Sequence, residues 1–276
     1  MLLTPSESIL PLSALLIRVW IPLAILMRVL WARQTRTLFA NAVDAAWALS
    51  FTFAAFVGVY FGIAGGQRER IWLVAFCLAG WSLRLGLYLL KARVLGAPRD
   101  ADGKPVEDTR YRALRARFTQ TKFFYFYQMQ SLLVTVLSIP VFVAMSEPTG
   151  ALRALDLVGV GIWLVAWIGE SLSDLQLSRF KRDPANRGRT CDQGLWKYTR
   201  HPNYFFEWLH WWAYVAIGIT APNWWLTLIG PALMLFFLLK LTGVRPSELQ
   251  SLRNRPDYAD YQRRTSMFVP WFPKKN

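Results

Sequence analysis

The chain has 276 residues, 54% of them hydrophobic, with 14 Trp, 18 Phe and 10 Tyr. That composition is too apolar for one or two domains folded in water and points to a membrane. The formal charge of +15 does not indicate nucleic-acid binding, because the basic residues lie between long apolar runs and not on one amphipathic surface.

Runs of about 20 mainly apolar residues, the length that crosses a bilayer, occur at 9–32, 39–63, 71–90, 123–145, 155–177, 205–220 and 224–240. The expected fold is therefore all-α: a multi-pass integral membrane bundle of about seven transmembrane helices. The first run is expected to remain as a span, since no basic segment precedes it and Arg18 and Arg28 interrupt its apolar core, unlike a secretory signal. Of the 32 Lys and Arg, 26 fall in the segments 33–38, 91–122, 178–204 and 240–276, and only 3 in the alternate connections. The positive-inside rule then predicts that these loops and the C-terminus are cytoplasmic.

Polar residues in or beside the spans are few, and each is costly in hydrocarbon. They are Asp44 in the second run, Arg84 in the third, Gln128 and Gln130 in the fourth, Glu170 and Asp174 in the fifth, and Asn203 and Glu207 in the sixth. Hydrogen bonding between helices is one use for them; lining a wet cavity is the other.

The fifth run ends Trp167-Ile-Gly-Glu170-Ser-Leu-Ser-Asp174 and continues through Lys181-Arg182. Helical spacing puts Glu170, Asp174 and Lys181 on one face. A turn-rich loop follows, Gly194-Leu-Trp196-Lys-Tyr198-Thr-Arg200-His201-Pro202-Asn203-Tyr204-Phe-Phe-Glu207. Its Pro202 suits the first turn of a helix, on which Arg200, Asn203, Tyr204 and Glu207 share a face. Two polar stripes joined by a basic loop suit a polyanionic ligand: cations for phosphates, carboxylates and amides for hydroxyls or a carboxamide, Trp196 or a tyrosine for stacking. No Gly-x-Gly-x-x-Gly or Gly-x-x-x-x-Gly-Lys motif supports a Rossmann turn or a P-loop. His201, with His210 two turns on and no cysteine or acid cluster, completes no metal shell, so no metal is expected and His201 takes a structural or phosphate-side role. Cys77 and Cys191 read as bland thiols.

The Gly194–Glu207 run, the Glu170–Lys181 helix and the ending Tyr258-Ala-Asp-Tyr261-Gln-Arg-Arg-Thr-Ser-Met-Phe-Val-Pro-Trp-Phe-Pro273 resemble the steroid 5α-reductase family, most closely its branch known as domain of unknown function 1295. Sterol C14-reductases share the same C-terminal plan. The resemblance covers residues from about 100 onward, with three separated motifs in the right order. It implies a membrane enzyme that binds NADPH from the cytoplasmic side and reduces a carbon–carbon double bond of a lipidic substrate. Asp174 would contact the cofactor, with Glu170, Lys181 and Arg182 on the same helix. Asn203 and Glu207 would lie near the nicotinamide and its ribose, and Trp196, Tyr198, Arg200, His201 and Tyr204 around the phosphates. Arg245 is a looser match for a pyrophosphate contact. On this resemblance the chain is one membrane domain, with residues 1–122 on the substrate side and 123–276 forming the NADPH-binding part.

The N-terminal half departs from the family, whose steroid-reducing members hold the substrate carbonyl with a Gln-Glu pair and a Tyr. No Gln-Glu dipeptide occurs here, and the second run reads Asn41-Ala-Val-Asp44-Ala-Ala-Trp47. Addition of hydride to an enone still needs an acid at the oxygen; Asp44, Tyr88 and Tyr111, with Glu107 and Asp108 beside the last, are the candidates. The Arg-His-Pro-x-Tyr motif and Tyr-x-x-Tyr ending also resemble the isoprenylcysteine carboxyl methyltransferases, which use S-adenosylmethionine. Those carry paired acids before the final tyrosines, where this chain has only Glu248. A transporter would show repeat halves, and none is evident.

Overall fold

A computed structural model describes residues 10–241 and 243–274; residue 9 of the first expected span, and positions 242, 275 and 276 of the tail segment, lie outside the described residues. The elements are helical: α1 Leu12–Thr37, α2 Ala42–Phe61, α3 Arg68–Leu89 extended by a wide turn to Leu95, α4 Thr109–Arg115, α5 Gln120–Met145, α6 Ala154–Arg182, α7 Pro202–Gly218, α8 Ile229–Phe236, α9 Val244–Asn254 and α10 Tyr258–Arg264. Among the described residues there are isolated bridges but no strand.

Among the described residues, six helical stretches are long and apolar enough to cross a membrane: Leu12–Thr37, Ala42–Phe61, Arg68–Leu95, Gln120–Met145, Ala154–Arg182 and Trp224–Asn254. The chain is a multi-pass membrane helical protein. The expected sixth span is α7, which at 17 residues is about 25 Å long at 1.5 Å per residue, the short end of what crosses a bilayer. Its length is set chemically, by Pro202 at its first position and by the Gly218 to Pro222 segment after it. The last expected run is not one regular helix. A tight turn at Trp224–Leu228, α8, and a wide turn at Phe237–Leu241 make it up.

The long helices carry apolar side chains on both their buried and their outward faces, as lipid requires. On α1, Leu15, Val19, Leu23 and Met27 are buried at intervals of four, while Ile17, Ile21, Ile25 and Val29 face outward.

The chain divides into two compact units, one comprising the described part of Met1–Leu152 with Gly218–Thr227, the other Arg153–Ile217 with Leu228 onward. The expected division after 122 differs in where it puts α5, which groups with α1–α4. The reason lies in its first turns: Gln128 Nε2 donates to the Ala24 carbonyl at 3.3 Å, Gln34 Nε2 donates to Gln120 Oε1 at 3.0 Å, and Phe123 and Tyr127 are buried with Met27, Val43 and Tyr111.

Within the first unit, small residues let α2 and α3 approach closely. Gly86 faces Leu49 so tightly that a Cβ would lie 2.5 Å from that side chain, and the Ser82 hydroxyl donates to the Ala48 carbonyl at 2.6 Å. At the far end the fully buried Arg70 is spent on backbone: Nη1 donates to the carbonyls of Glu147 (3.0 Å) and Thr149 (2.7 Å), and Nη2 to that of Ala151 (2.8 Å). Glu147 accepts from the hydroxyls of Thr149 and Thr220.

In the second unit α6 and α7 meet on two glycines. A Cβ on Gly159 would lie 2.5 Å from Ile217, and one on Gly169 2.5 Å from the Phe206 ring. Asp156 caps the start of α6 by accepting from the Arg153 amide at 2.7 Å, and Arg153 Nη2 donates to the Ile217 carbonyl at 2.8 Å. Trp208 Nε1 donates to the Pro231 carbonyl at 3.1 Å, joining α7 to α8.

Replacing Arg70 by Ala strands three carbonyls, so Arg70→Ala is expected to cost about 3 kcal/mol, read as a lower unfolding midpoint in detergent. Arg70→Lys, which lacks the planar fork, should recover only part of the loss. An unchanged midpoint in both variants would refute the latch.

Candidate functional site

In the first unit the polar residues of α2 and of the 91–122 segment assemble around Asp44. The Tyr111 hydroxyl donates to Asp44 Oδ1, while Oδ2 accepts from Arg93 Nη1 at 2.7 Å and Arg110 Nη2 at 2.9 Å. Asn41 ties the segment down, donating to the Arg93 carbonyl and accepting from the Asp108 amide, both at 2.9 Å. Asp108 caps α4 through the Arg110 amide. Beside this cluster, buried Glu107 accepts from the Ala40 amide at 2.9 Å and from Arg115 Nη2 at 2.6 Å. Burial, then the adjacent Asp44 carboxylate, hold the Tyr111 phenol well above its ordinary pKa, so it stays a proton donor. Burial likewise raises Asp108. Tyr88 is half-buried near the end of α3.

In the second unit Glu170 and Asp174 are buried on α6 and Glu207 on α7. Asn203, in the first turn of α7, donates from Nδ2 to Asp174 Oδ1 at 3.4 Å. Because Gly169 meets Phe206, the neighbouring Glu170 and Glu207 flank the same helix crossing. Carboxylates accept hydrogen bonds and Asn203 adds donors, so this end of α6 and α7 suits a ligand rich in hydroxyl and amide groups. Lys181 and Arg182 are exposed at the end of α6, with Arg179, Arg187 and Arg189 also on the surface.

The loop before α7 is stitched to the tail. Trp196 is buried, its Nε1 donating to the Ser173 carbonyl at 3.0 Å, and its own carbonyl accepts from the Tyr261 hydroxyl. Arg200 Nε donates to Glu248 Oε1 at 2.7 Å, and its Nη1 to the carbonyls of Gln262 (2.9 Å) and Thr265 (2.7 Å). His201 Nε2 lies 3.2 Å from the same Glu248 oxygen, its ring stacked on Tyr204 at 5.3 Å. Gln262 Nε2 donates to Glu248 Oε2 at 2.9 Å.

The expected cofactor residues are thus split in two. Asp174 and Asn203 are brought together, with Glu170 and Glu207 at the same crossing. Arg200 and His201 are committed to Glu248 and the tail, and Trp196 to the end of α6. Tyr198 packs edge-on against Phe272 at 6.1 Å, and Arg245 is exposed on α9. Sequence reasoning missed Glu248 as the hub of the latch, and Gln176, whose Oε1 accepts from the Leu195 amide at 2.9 Å where Gly194, at φ +57, passes it. No motif spacing marks either. A cleft of about 370 Å³ lined by Gln176, Arg179, Phe180, Asn186 and Gln193 opens on the face of α6 opposite Asp174, since 176 and 180 are two and six residues on. Burial raises the Cys191 thiol, in keeping with an unreactive side chain. Among the described residues no group of three or more His, Cys, Asp or Glu is placed to hold a metal.

A family model described as "Protein of unknown function (DUF1295)" matches residues 30–265, and the chain belongs to that family. It is similar to an uncharacterized protein of Schizosaccharomyces pombe, 27% identical over 89% of this chain and 77% of the relative. A second uncharacterized protein of the same yeast is 35% identical over 30% of this chain and 36% of its own length. No solved structure matches.

Removing the Arg200 side chain leaves Glu248 and two tail carbonyls without their strongest donor. Arg200→Ala is expected to cost about 3 kcal/mol and to speed proteolysis within 257–274, compared with unsubstituted protein. Wild-type cleavage kinetics in that variant would show that the latch does not hold the tail.

Proposed function

We propose that this member of the DUF1295 family is a membrane-embedded NADPH-dependent reductase of an activated carbon–carbon double bond in a lipidic substrate. The observation that carries the reading is the meeting of Asp174 with Asn203, at 3.4 Å, at a helix crossing flanked by buried Glu170 and Glu207. Such a group of acceptors and a carboxamide fits ribose hydroxyls and a nicotinamide amide. It is supported by the resemblance of the same residues to the steroid 5α-reductase pattern. The exposed cations Arg179, Lys181, Arg182, Arg187 and Arg189 supply charge for a 2′-phosphate.

NADPH would supply the hydride, two electrons and a proton's mass, to the β-carbon of an enone. The residues of this chain must then bind the cofactor, exclude water and deliver a proton to the α-carbon. Among the residues of the first unit, the protonated Tyr111 hydroxyl on Asp44 is the candidate acid. The 26 to 3 distribution of Lys and Arg supports a cytoplasmic side for the loops 91–122 and 178–204 and the C-terminal tail, where NADPH is available.

Two tests follow. Purified protein given NADPH deuterated at nicotinamide C4 and a panel of lipidic enones should place deuterium on the β-carbon. Methyl transfer from S-adenosylmethionine without nicotinamide oxidation would instead make it a methyltransferase. Asp174→Ala and Asn203→Ala should each weaken NADPH binding at least about tenfold, roughly 1.4 kcal/mol, with little change in unfolding midpoint, and equal affinity for NADH would remove the phosphate assignment. For orientation, Gly150→Cys in intact cells should react with an impermeant maleimide and Lys274→Cys should not; the reverse pattern would invert the topology.

A further inference from the structure

The segment that follows α10 is unusual in how it divides its polar and apolar groups. Its backbone is tied inward at several points. The Ser266 carbonyl accepts from the Arg200 amide at 2.8 Å, those of Met267 and Phe268 accept from the Thr199 hydroxyl at 3.3 and 2.9 Å, and that of Val269 from the Ser266 hydroxyl at 2.6 Å. The Trp271 amide donates to the Tyr198 carbonyl and the Lys274 amide to the Arg264 carbonyl, both at 2.9 Å. Pro270 and Pro273 have no N–H to satisfy. Phe268 is the inward anchor, packed edge-on against Phe205 at 6.0 Å and Trp208 at 5.8 Å.

The side chains do the opposite. Val269 is 54% exposed, Trp271 71% and Phe272 76%, so two adjacent aromatic rings project outward, Phe272 meeting the Tyr198 ring edge-on at 6.1 Å. Large aromatic side chains held outward are what a low-polarity environment favours and what water penalises. Tryptophan beside a terminal lysine is the composition that settles at the headgroup boundary, ring in the acyl edge and ammonium among the phosphates. Exposed Lys274 and Lys197 give the rim a positive charge.

We propose that Val269–Lys274 is an interfacial anchor: Trp271 and Phe272 enter the headgroup–acyl boundary of the adjoining leaflet, and the lysines engage anionic lipid headgroups. A second copy of this chain fits the patch less well, because a twofold contact there would bring the same lysines against each other. The anchor has a consequence for the candidate site. The segment is bonded to Tyr198, Thr199 and Arg200, so seating it in the leaflet fixes the depth of the loop that leads into Asn203.

The test uses full-length protein in nanodiscs holding one chain. Cys77 and Cys191 are buried, so the unsubstituted chain is the unlabelled blank. Phe272→Cys carrying an environment-sensitive nitrobenzoxadiazole label should be quenched by lipids spin-labelled near the headgroup and shielded from iodide. The same label at Asp260→Cys should behave in the opposite way. Adding phosphatidylglycerol to phosphatidylcholine discs should deepen the shielding at 272, and Lys197→Glu with Lys274→Glu should abolish that dependence. Iodide access at 272 with no lipid quenching overturns the anchor. So does shielding that appears only with two chains per disc. Shielding indifferent to phosphatidylglycerol overturns the anionic component. The outcome is independent of NADPH, so the anchor and the reductase reading fail separately.

Discussion

Arginine donating to backbone carbonyl recurs at three places where this chain ends a helix. A helix leaves its last carbonyls without partners, and near hydrocarbon an unsatisfied group costs several kcal/mol. Arg70 meets three carbonyls of the turn after α5, Arg153 meets Ile217 near the end of α7, and Arg200 meets two carbonyls around the end of α10. Guanidinium suits the task because its fixed fork serves several acceptors at once and does not lose its charge. Each of these arginines is also far in sequence from what it caps, so each one fixes tertiary structure as well as a local end.

This use of arginine explains what was legible in the sequence. Apolar runs located the spans because lipid selects for composition, a signal that is local. The same locality made α7 look like the other spans, since nothing in its composition shows that Pro202 and the Gly218–Pro222 segment cut it to 17 residues. The stripe of Glu170 and Asp174 was readable from helical spacing, as was the placement of Asn203 one turn from Glu207. What spacing could not show was which cations lie on the surface and which are bound to the chain itself. Arg200 and Arg179 look alike in a basic loop; one is bound to Glu248 and two carbonyls, and the other lies on the surface beside a cleft. Glu248 had no legible role because its partners come from 47 and more residues earlier and 14 later.

The two units divide the chemistry. In the first, acids and arginines balance around Asp44, leaving Tyr111 as a protonated hydroxyl in a buried setting. In the second, acids outnumber nearby cations inside and cations dominate outside. Fold and family bound the function without naming it, and the side chains at the α6–α7 crossing carry the remaining weight.

The stitching of the 196–201 loop to the tail also bears on biosynthesis. Arg200 and its carbonyl partner at Thr265 are 65 positions apart, so the loop leaves the ribosome well before the segment that secures it. During that interval the spans up to α6 are already available to the membrane, while Arg200, His201 and the Thr199 hydroxyl lack their partners. Insertion and completion of the site are therefore separate events in time. A nascent chain halted before residue 257 would hold the same spans up to α7 and lack the tail contacts of Thr199 and Arg200.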